Sequence, residues 1–303
     1  MNNLTKTDKI FMAFGQGAST ETVEFKKYIG IGTCSVLAIN PTKEELSQIY
    51  NRPIDKDPQY VGTTTVDDKE IPQARVDIIV KTNPDKCNGI NIIKTLSFFI
   101  DKVYQFNKDK TSVKVINKYA ETCYMPVEAV KSGNIPENMK WFDTTGMKAA
   151  YKGEEELTLF IKAYLGIPGR QRMNDKGEWV AIDDLTKAYA QLEDVETYFK
   201  GNVQEVKDAI AFQPKNNVKV LFGVKSKDGK EYQDAYTKFF MSARNTNTQK
   251  LQKSVNEFQA NGGMPNTTFE ICDIKEYDIQ PTNLNQESTE SVFNADTTTE
   301  WPF

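Results

Sequence analysis

The order of strand-like and helix-like patterns along the chain is the feature that most restricts its fold. Strand patterns occupy both ends, at 27–40, 73–81, 91–107, 111–124, 217–224, 231–243 and 267–279. Between them, apolar residues recur at helical spacing in Glu154–Leu165, in 185–199 and in a further turn or two at 203–212. This order differs from the regular alternation of strands and helices that builds a parallel sheet.

Turn and capping residues mark the boundaries of several elements. Asp228-Gly229, between two alternating runs, is the strongest hairpin signal in the sequence, and Lys108-Asp109-Lys110 predicts a second hairpin between 91–107 and 111–124. Pro41 and Thr42, followed by acidic residues, predict a helix start. A helix at 251–259 is expected to end at 261–263, Asn-Gly-Gly.

These elements predict an α+β fold. About five curved strand segments, two long hairpins and helices are what a decorated, oligonucleotide-binding-type (OB-like) β-barrel requires. The helical stretch at about 150–212 is then an insertion into the barrel. Neither a G-x-G-x-x-G nor a G-x-x-x-x-G-K-[ST] motif occurs, which disfavours a Rossmann or P-loop enzyme.

The absence of histidine excludes several classes of enzyme. A chain of 303 residues with no histidine cannot form a Ser-His-Asp or Cys-His catalytic site or a zinc site that includes histidine. Cys34, Cys87, Cys123 and Cys272 form no C-x-x-C pair and are interpreted as small apolar core residues. We therefore predict no catalytic residue, no metal site and no cofactor.

An enzyme remains the third alternative. Asp67-Asp68 or Asp183-Asp184 could hold magnesium for phosphoryl chemistry. Adjacent residues of a strand, however, point to opposite sides, which disfavours a shared ion. Acidic residues in surface loops are also the commoner explanation for such pairs.

Basic residues are concentrated in two segments although the net charge is −4. Residues 81–118 contain eight lysines and three aspartates, and residues 200–255 contain eleven basic and five acidic residues. Residues 281–303 contain four acidic residues and no basic one, so that the remaining body is neutral. Lysines covering solvated strand faces would be a sufficient explanation, but two positive segments are also what an anionic polymer requires.

Aromatic residues occur in the same two basic segments. Alternation in 231–243 predicts that one face is shared by Tyr232, Asp234, Tyr236, Lys238 and Phe240. Single-stranded nucleic acid binds to such surfaces, because bases stack on rings and cations follow the phosphates. Core packing is the rival explanation for each ring. The predicted DNA-binding residues are Tyr232, Tyr236, Phe240, Lys219, Lys225, Lys238, Arg244, Lys250, Lys253, Lys102 and Tyr104.

The last 23 residues predict a flexible tail attached to a body at 1–280. The segment 281–303 is rich in Asn, Thr, Ser and acidic residues, and it has too few apolar residues to fold alone. It nevertheless ends in Glu300, Trp301, Pro302 and Phe303. An apolar, acidic tip of this kind is suited to a partner's basic-rimmed pocket, and we predict that these four residues bind partners.

The tip resembles the acidic C-terminal peptide of bacterial single-stranded DNA-binding proteins, which typically ends in acidic residues, Ile or Leu, Pro and Phe. Pro302 and Phe303 match, Glu300 takes the place of the last acid, and Trp301 replaces the aliphatic residue. The body is more similar to the larger replication-type single-stranded DNA-binding proteins of tailed bacteriophages. The resemblance implies coating of single strands in DNA replication, recombination and repair, and recruitment of replication or recombination proteins through the tail.

The expected partners are therefore single-stranded DNA, such proteins and, on DNA, further copies of the chain. No membrane span or signal peptide is recognised, so a cytoplasmic location is expected, in the bacterial host if the chain is phage-encoded. The runner-up function is a phage structural or cargo protein whose tail is a docking peptide for virion assembly.

Overall fold

A computed structural model describes residues 27–85, 87, 89–117, 119, 121–165, 171–173, 179–181, 195–209 and 217–271. Its strands are β1 (Gly30–Ile39), β2 (Val61–Val66), β3 (Lys69–Thr82), β4 (Ile93–Tyr104), β5 (Ser112–Ile116), β6 (Thr122–Pro126), β7 (Lys148–Ala149), β8 (Tyr151–Lys152), β9 (Gln171–Met173), β10 (Trp179–Ala181), β11 (Asn217–Lys227), β12 (Lys230–Ser242) and β13 (Glu270–Ile271). Its helices are α1 (Lys43–Tyr50), α2 (Val127–Ser132), α3 (Glu154–Leu165), α4 (Glu196–Phe199), α5 (Val203–Ala209) and α6 (Thr248–Ala260), and Glu137–Met139 form a 3-10 turn.

Eight of these strands form one strongly curled sheet. The order is β12-β11-β1-β3-β4-β8, with β2 beside β3 and β13 beside β1, and all pairs except β1 with β13 are antiparallel. The curl brings the edge strand β12 back to β4, where Lys94 Nζ lies 2.7 Å from Asp234 Oδ1 and the Phe98 and Phe240 rings are 6.0 Å apart. The predicted α+β class is therefore confirmed, with a sheet curled into about half a barrel.

Helix α3 fills the inside of the curl. Its apolar face contributes Leu157, Phe160, Ile161 and Tyr164 to the core formed by β1, β3, β4 and β11. Phe160 lies 5.8 Å from Phe98 and 5.2 Å from the Phe240 ring. Burying such rings removes apolar area from water and gives most of the stabilisation of a core of this kind.

Helix α6 covers the outside of the same sheet. Leu251 and Val255 on its inner face pack with Ile31, Leu221 and Phe239 of the strands beneath. The Asn247 side chain caps its first turn by accepting from the Lys250 amide, so the helix begins three residues earlier than predicted. The sheet is thus covered on both faces near β1 and β11.

The predicted hairpin between 91–107 and 111–124 is wrong in its pairing. β4 belongs to the large sheet, whereas β5 pairs with β6 and β7 in a separate three-stranded sheet. The two arms are joined by the Phe106–Val113 bridge, by adjoining backbone hydrogen bonds and by a few side-chain hydrogen bonds, such as that from Gln105 Nε2 to the Tyr124 hydroxyl. Asn117 ends β5, because its side-chain oxygen accepts from the amides of Tyr119 and Glu121 and turns the chain back into β6.

Other boundaries agree closely with the sequence patterns. Thr42 and Glu45 form a capping box at the start of α1, and α3 and α5 lie within predicted helices. Of the predicted helix at 185–199 the structure describes only Val195 and α4. Of the predicted strand at 267–279 it describes 267–271, where only β13 is strand; the remainder of both elements and the predicted tail lie outside the described residues. Among the described residues, no helix is long and apolar enough to cross a membrane.

Candidate nucleic-acid interface

The β11–β12 hairpin is built on the predicted Asp-Gly turn. Asp228 and Gly229 have φ values of 52° and 72°, and positive φ at both central positions is what a type I′ turn requires. A two-residue turn fixes the register of the strands. Lys227 therefore lies opposite Lys230, and Lys225 lies opposite Tyr232.

This register places three lysines and one tyrosine on the same face of the hairpin. Register partners share a face, and successive pairs alternate between faces. Ser226 and Glu231 occupy the other face. Lys225, Lys227, Lys230 and Tyr232 are all exposed, and 51% of Tyr232 is accessible to solvent. We call these four residues the lysine face.

The three lysines of the lysine face lie outside close ion pairs. In the described part of the chain none of them forms an ion pair. Many other lysines are neutralised, among them Lys94 by Asp234, Lys114 by Glu155 and Lys152 by Asp101. The tip of the hairpin therefore carries a local positive charge, which is offset in part by Asp234, because Asp234 lies on the same face and interacts electrostatically with Lys225.

Tyr236 continues the lysine face toward α6. A Cβ at Gly223 would come within 2.4 Å of its ring, so the tyrosine lies directly on the glycine backbone. It also packs edge-on against Phe258 of α6, at a centroid distance of 5.9 Å. Burial, and then the charge of Asp234, raise the pKa of Tyr236. The ring is half-buried, so it presents less surface to a ligand than Tyr232 does.

A bulge in β12 overturns the predicted alternation. Val220 pairs with Phe240 and Phe222 pairs with Ala235, so four residues of β12 lie opposite the single residue Leu221. Phe240 consequently points into the core, where it packs against Phe98 and Phe160 rather than on the face of Tyr232 and Tyr236. The prediction that all three rings share one face is wrong for Phe240.

Lys219 lies in the interior, contrary to the surface position that a phosphate contact requires. Only 1% of it is accessible, and its ammonium donates to Thr33 Oγ1 at 2.8 Å. Lys219 and Leu221 are two residues apart in β11, so their side chains lie on the same outer face of the sheet. Helix α6 covers that face in this region. Covering by the helix thus converts an outward lysine into a buried one.

The other predicted cations lie on the surface but in different places. Lys238 is exposed in the bulge and lies 3.6 Å from Glu156 of α3. Arg244 is exposed in the turn after β12. Lys250 and Lys253 lie on the outer face of α6, about 8 to 12 Å along the helix from Phe258 at 1.5 Å per residue. The structure therefore groups only Lys225, Tyr232 and Tyr236 tightly.

Lys102 and Tyr104 lie together at the far end of β4. Tyr104 is 49% accessible and stacks on Tyr151 of β8, with the rings 5.3 Å apart and 7° from parallel. The Lys102 ammonium lies 2.7 Å from Glu196 and 5.3 Å from the centre of the Phe199 ring. This cluster is separate from the lysine face.

Of the two acidic pairs considered as magnesium ligands, the structure describes Asp67-Asp68. Asp67 and Asp68 form the turn between β2 and β3, with φ values of 49° and 60°, and Asp67 pairs with Lys110 at 2.8 Å. No cluster of three potential metal ligands occurs in the described ranges. Asp183 and Asp184, and the predicted partner-binding residues Glu300, Trp301, Pro302 and Phe303, lie outside the described residues.

Two features of the interface were missed by the sequence reasoning. Lys230 was not predicted as a cation of the site, and Lys227 was recognised only as part of the basic arm, although a two-residue Asp-Gly turn places them opposite each other. No sequence pattern indicated Tyr151, because its position beside Tyr104 depends on the pairing of β8 with β4.

Comparison of the chain with protein-family models, with curated proteins and with solved structures gives no match.

Proposed function

We propose that this chain is a non-enzymatic single-stranded DNA-binding protein that coats and protects exposed strands in replication, recombination or repair. The observation that carries the proposal is the lysine face: Lys225, Lys227 and Lys230, none of them in an ion pair among the described residues, beside the exposed ring of Tyr232. Lysines bind phosphates without regard to sequence, and an exposed ring stacks on any base.

The charge distribution favours a polyanion over a neutral partner. The strand partners on the lysine face repeat at two-residue intervals, about 7 Å along the hairpin, so the cations form a row rather than a point. A row of lysines outside ion pairs attracts an extended anion and releases its counterions on binding. Tyr236 extends the row with a second, half-buried ring on the same side as Gly223.

The fold and the tail complete the proposal. The curled sheet filled by α3 is compatible with an OB-like barrel, and we assign it to that class. The resemblance described above supports the replication type found in tailed bacteriophages, acting in the cytoplasm of the bacterial host. Partner proteins of replication or recombination would then be recruited through Glu300, Trp301, Pro302 and Phe303.

The test is a titration of fluorescent oligo-dT and of a matched duplex at several salt concentrations. Wild type is expected to bind the single strand in preference to the duplex. The triple variant Lys225→Gln/Lys227→Gln/Lys230→Gln loses three phosphate contacts. At about 0.7 per phosphate on a single strand, the slope of log K against log salt should therefore become shallower by about 2.

A matched control separates the lysine face from total charge. The variant Lys56→Gln/Lys131→Gln/Lys140→Gln removes three exposed lysines from other surfaces and changes the net charge equally. Its slope is expected to stay close to that of wild type. Equal losses in both triple variants, or wild type that fails to prefer the single strand at low salt, would overturn the proposal.

A further inference from the structure

The cluster at the far end of β4 offers an aromatic face to solvent. One face of Tyr104 is covered by the nearly parallel ring of Tyr151, so its 49% accessible surface includes the opposite face. Tyr151 is held in turn by Phe199, edge-on at 5.8 Å. The exposed ring therefore rests on a rigid stack that continues into the core, as an aromatic platform for a planar ligand requires.

A charged network lies next to this platform. Glu196 accepts from Lys102 at 2.7 Å through one oxygen and from the Tyr151 hydroxyl at 2.9 Å through the other. Burial, followed by this hydrogen bond, raises the pKa of Tyr151 to about 12, so its hydroxyl remains a donor at neutral pH. Lys102 and Glu196 are both partly accessible, at 38% and 48% of their side chains.

We propose that this cluster is a second nucleotide-binding station, in which a base stacks on Tyr104 and the adjoining phosphate takes the place of the Glu196 carboxylate on Lys102. The inference rests on the proposed function and adds a regulated subsite to it. A phosphate oxygen, like a carboxylate oxygen, accepts from an ammonium and from a phenol, so the two anions compete for the same donors.

The station is distant from the lysine face. Lys94, at the start of β4, contacts Asp234 at the base of the hairpin, and Tyr104 lies ten residues farther along the strand. At about 3.3 Å per residue the two stations are on the order of 30 Å apart. A single strand long enough to reach both would bind the lysine face and displace Glu196 from Lys102.

The exchange at Lys102 predicts a distinctive salt dependence. In wild type, the phosphate releases its counterion, but the displaced Glu196 carboxylate stays beside the strand and repels it. Added salt screens this repulsion, so the station contributes little to the salt slope. In Glu196→Gln no carboxylate is freed. Binding of an oligo-dT of about 16 nucleotides should then tighten several-fold at low salt, and the slope should become steeper by about 0.7.

Glu137→Gln is the matched control. Glu137 also holds a lysine, Lys140, in an exposed ion pair, and the substitution changes the charge equally. This variant is expected to leave the slope unchanged. Equal slopes for Glu196→Gln and Glu137→Gln would overturn the competition between carboxylate and phosphate, whatever the stability of either variant.

Substitutions of Tyr104 test the platform. Tyr104→Leu keeps an apolar contact with Tyr151 but removes the stacking face, and we expect affinity to fall about 5- to 150-fold with the salt slope unchanged. Tyr104→Phe should bind as wild type does. Wild-type affinity in the folded leucine variant, checked by circular dichroism, overturns the station.

The outcomes also separate this inference from the function on which it rests. If the lysine-face triple variant loses affinity while Glu196→Gln and Tyr104→Leu behave as wild type, only the second station is overturned. If wild type binds no single strand, the proposed function fails and the station fails with it.

Discussion

Phe240 and Tyr232 lie on the same strand, and the structure predicts opposite consequences when each is replaced by alanine. Phe240 packs against Phe98 and Phe160 in the core, whereas Tyr232 is 51% accessible beside Lys225. Phe240→Ala should therefore destabilise the fold and leave the DNA affinity of the folded protein nearly unchanged. Tyr232→Ala should do the reverse.

The magnitudes follow from burial and ring contacts. Truncation of a buried phenylalanine costs about 3 to 5 kcal/mol, and Phe240 is partly rather than fully buried, so we expect a loss of about 2 to 4 kcal/mol in unfolding free energy. The two ring contacts, at 6.0 and 5.2 Å, are included in that loss. Tyr232→Ala should change stability by no more than about 0.5 kcal/mol. It should weaken DNA binding by about 1 to 3 kcal/mol, the value of one stacked base.

Urea denaturation followed by circular dichroism measures the first quantity, and fluorescence anisotropy with labelled oligo-dT measures the second. Both variants are compared in the same buffer, at a temperature where Phe240→Ala is still folded. The reasoning is refuted if folded Phe240→Ala loses affinity as strongly as Tyr232→Ala does. It is also refuted if Phe240→Ala is as stable as wild type, because the ring would then not belong to the core.

Two further predictions concern stability. Gly153 and Gly133 have φ values of +88° and +74°, but a Cβ at Gly153 would lie 1.9 Å from the Phe99 carbonyl oxygen and one at Gly133 meets nothing within 4 Å. Urea denaturation should therefore find Gly153→Ala less stable than Gly133→Ala by about 1 to 3 kcal/mol, and equal stabilities would contradict this. Burial raises the pKa of Asp234, but hydrogen bonds from Lys94 and the Ala235 amide, together with the charges of Lys94 and Lys225, outweigh it and hold that pKa below its ordinary value. The resulting stabilisation is present above the unfolded pKa of about 3.9 and disappears as pH falls through the folded one. The stability difference between wild type and Asp234→Asn should thus be constant at neutral pH and shrink in acid, and a difference independent of pH would contradict the assignment.

Local sequence signals predicted the parts of the fold that local interactions determine. The Asp228-Gly229 turn and the Thr42 cap both occur where expected, because each depends on hydrogen bonds and φ angles within a few residues. By contrast, β2 was not predicted. Its Val-Gly-Thr-Thr-Thr-Val sequence has no apolar alternation, and its pairing is with β3.

The candidate site was predictable only where register alone decides it. Tyr232 and Lys225 are neighbours because of the turn, and the sequence sufficed to select both. Lys219 could not be recognised as buried, since its covering by α6 depends on the docking of a helix about thirty residues later in the chain. The predicted position of Phe240 was wrong for another reason. Strict alternation assumes a continuous ladder of strand pairs, and the bulge interrupts this ladder.

The bulge opposite Leu221 also divides the hairpin into two regions. On the side of the bulge away from the turn, the core fixes the pairing of Val218 to Val220. On the side toward the turn, the turn fixes the pairing of Phe222 to Lys227. The four surplus residues between them contact both helices, because Phe239 packs on Phe258 of α6 while Thr237 and Lys238 lie against Glu156 of α3. The bulge is therefore the point at which one edge strand fastens the inner helix and the outer helix to the same sheet.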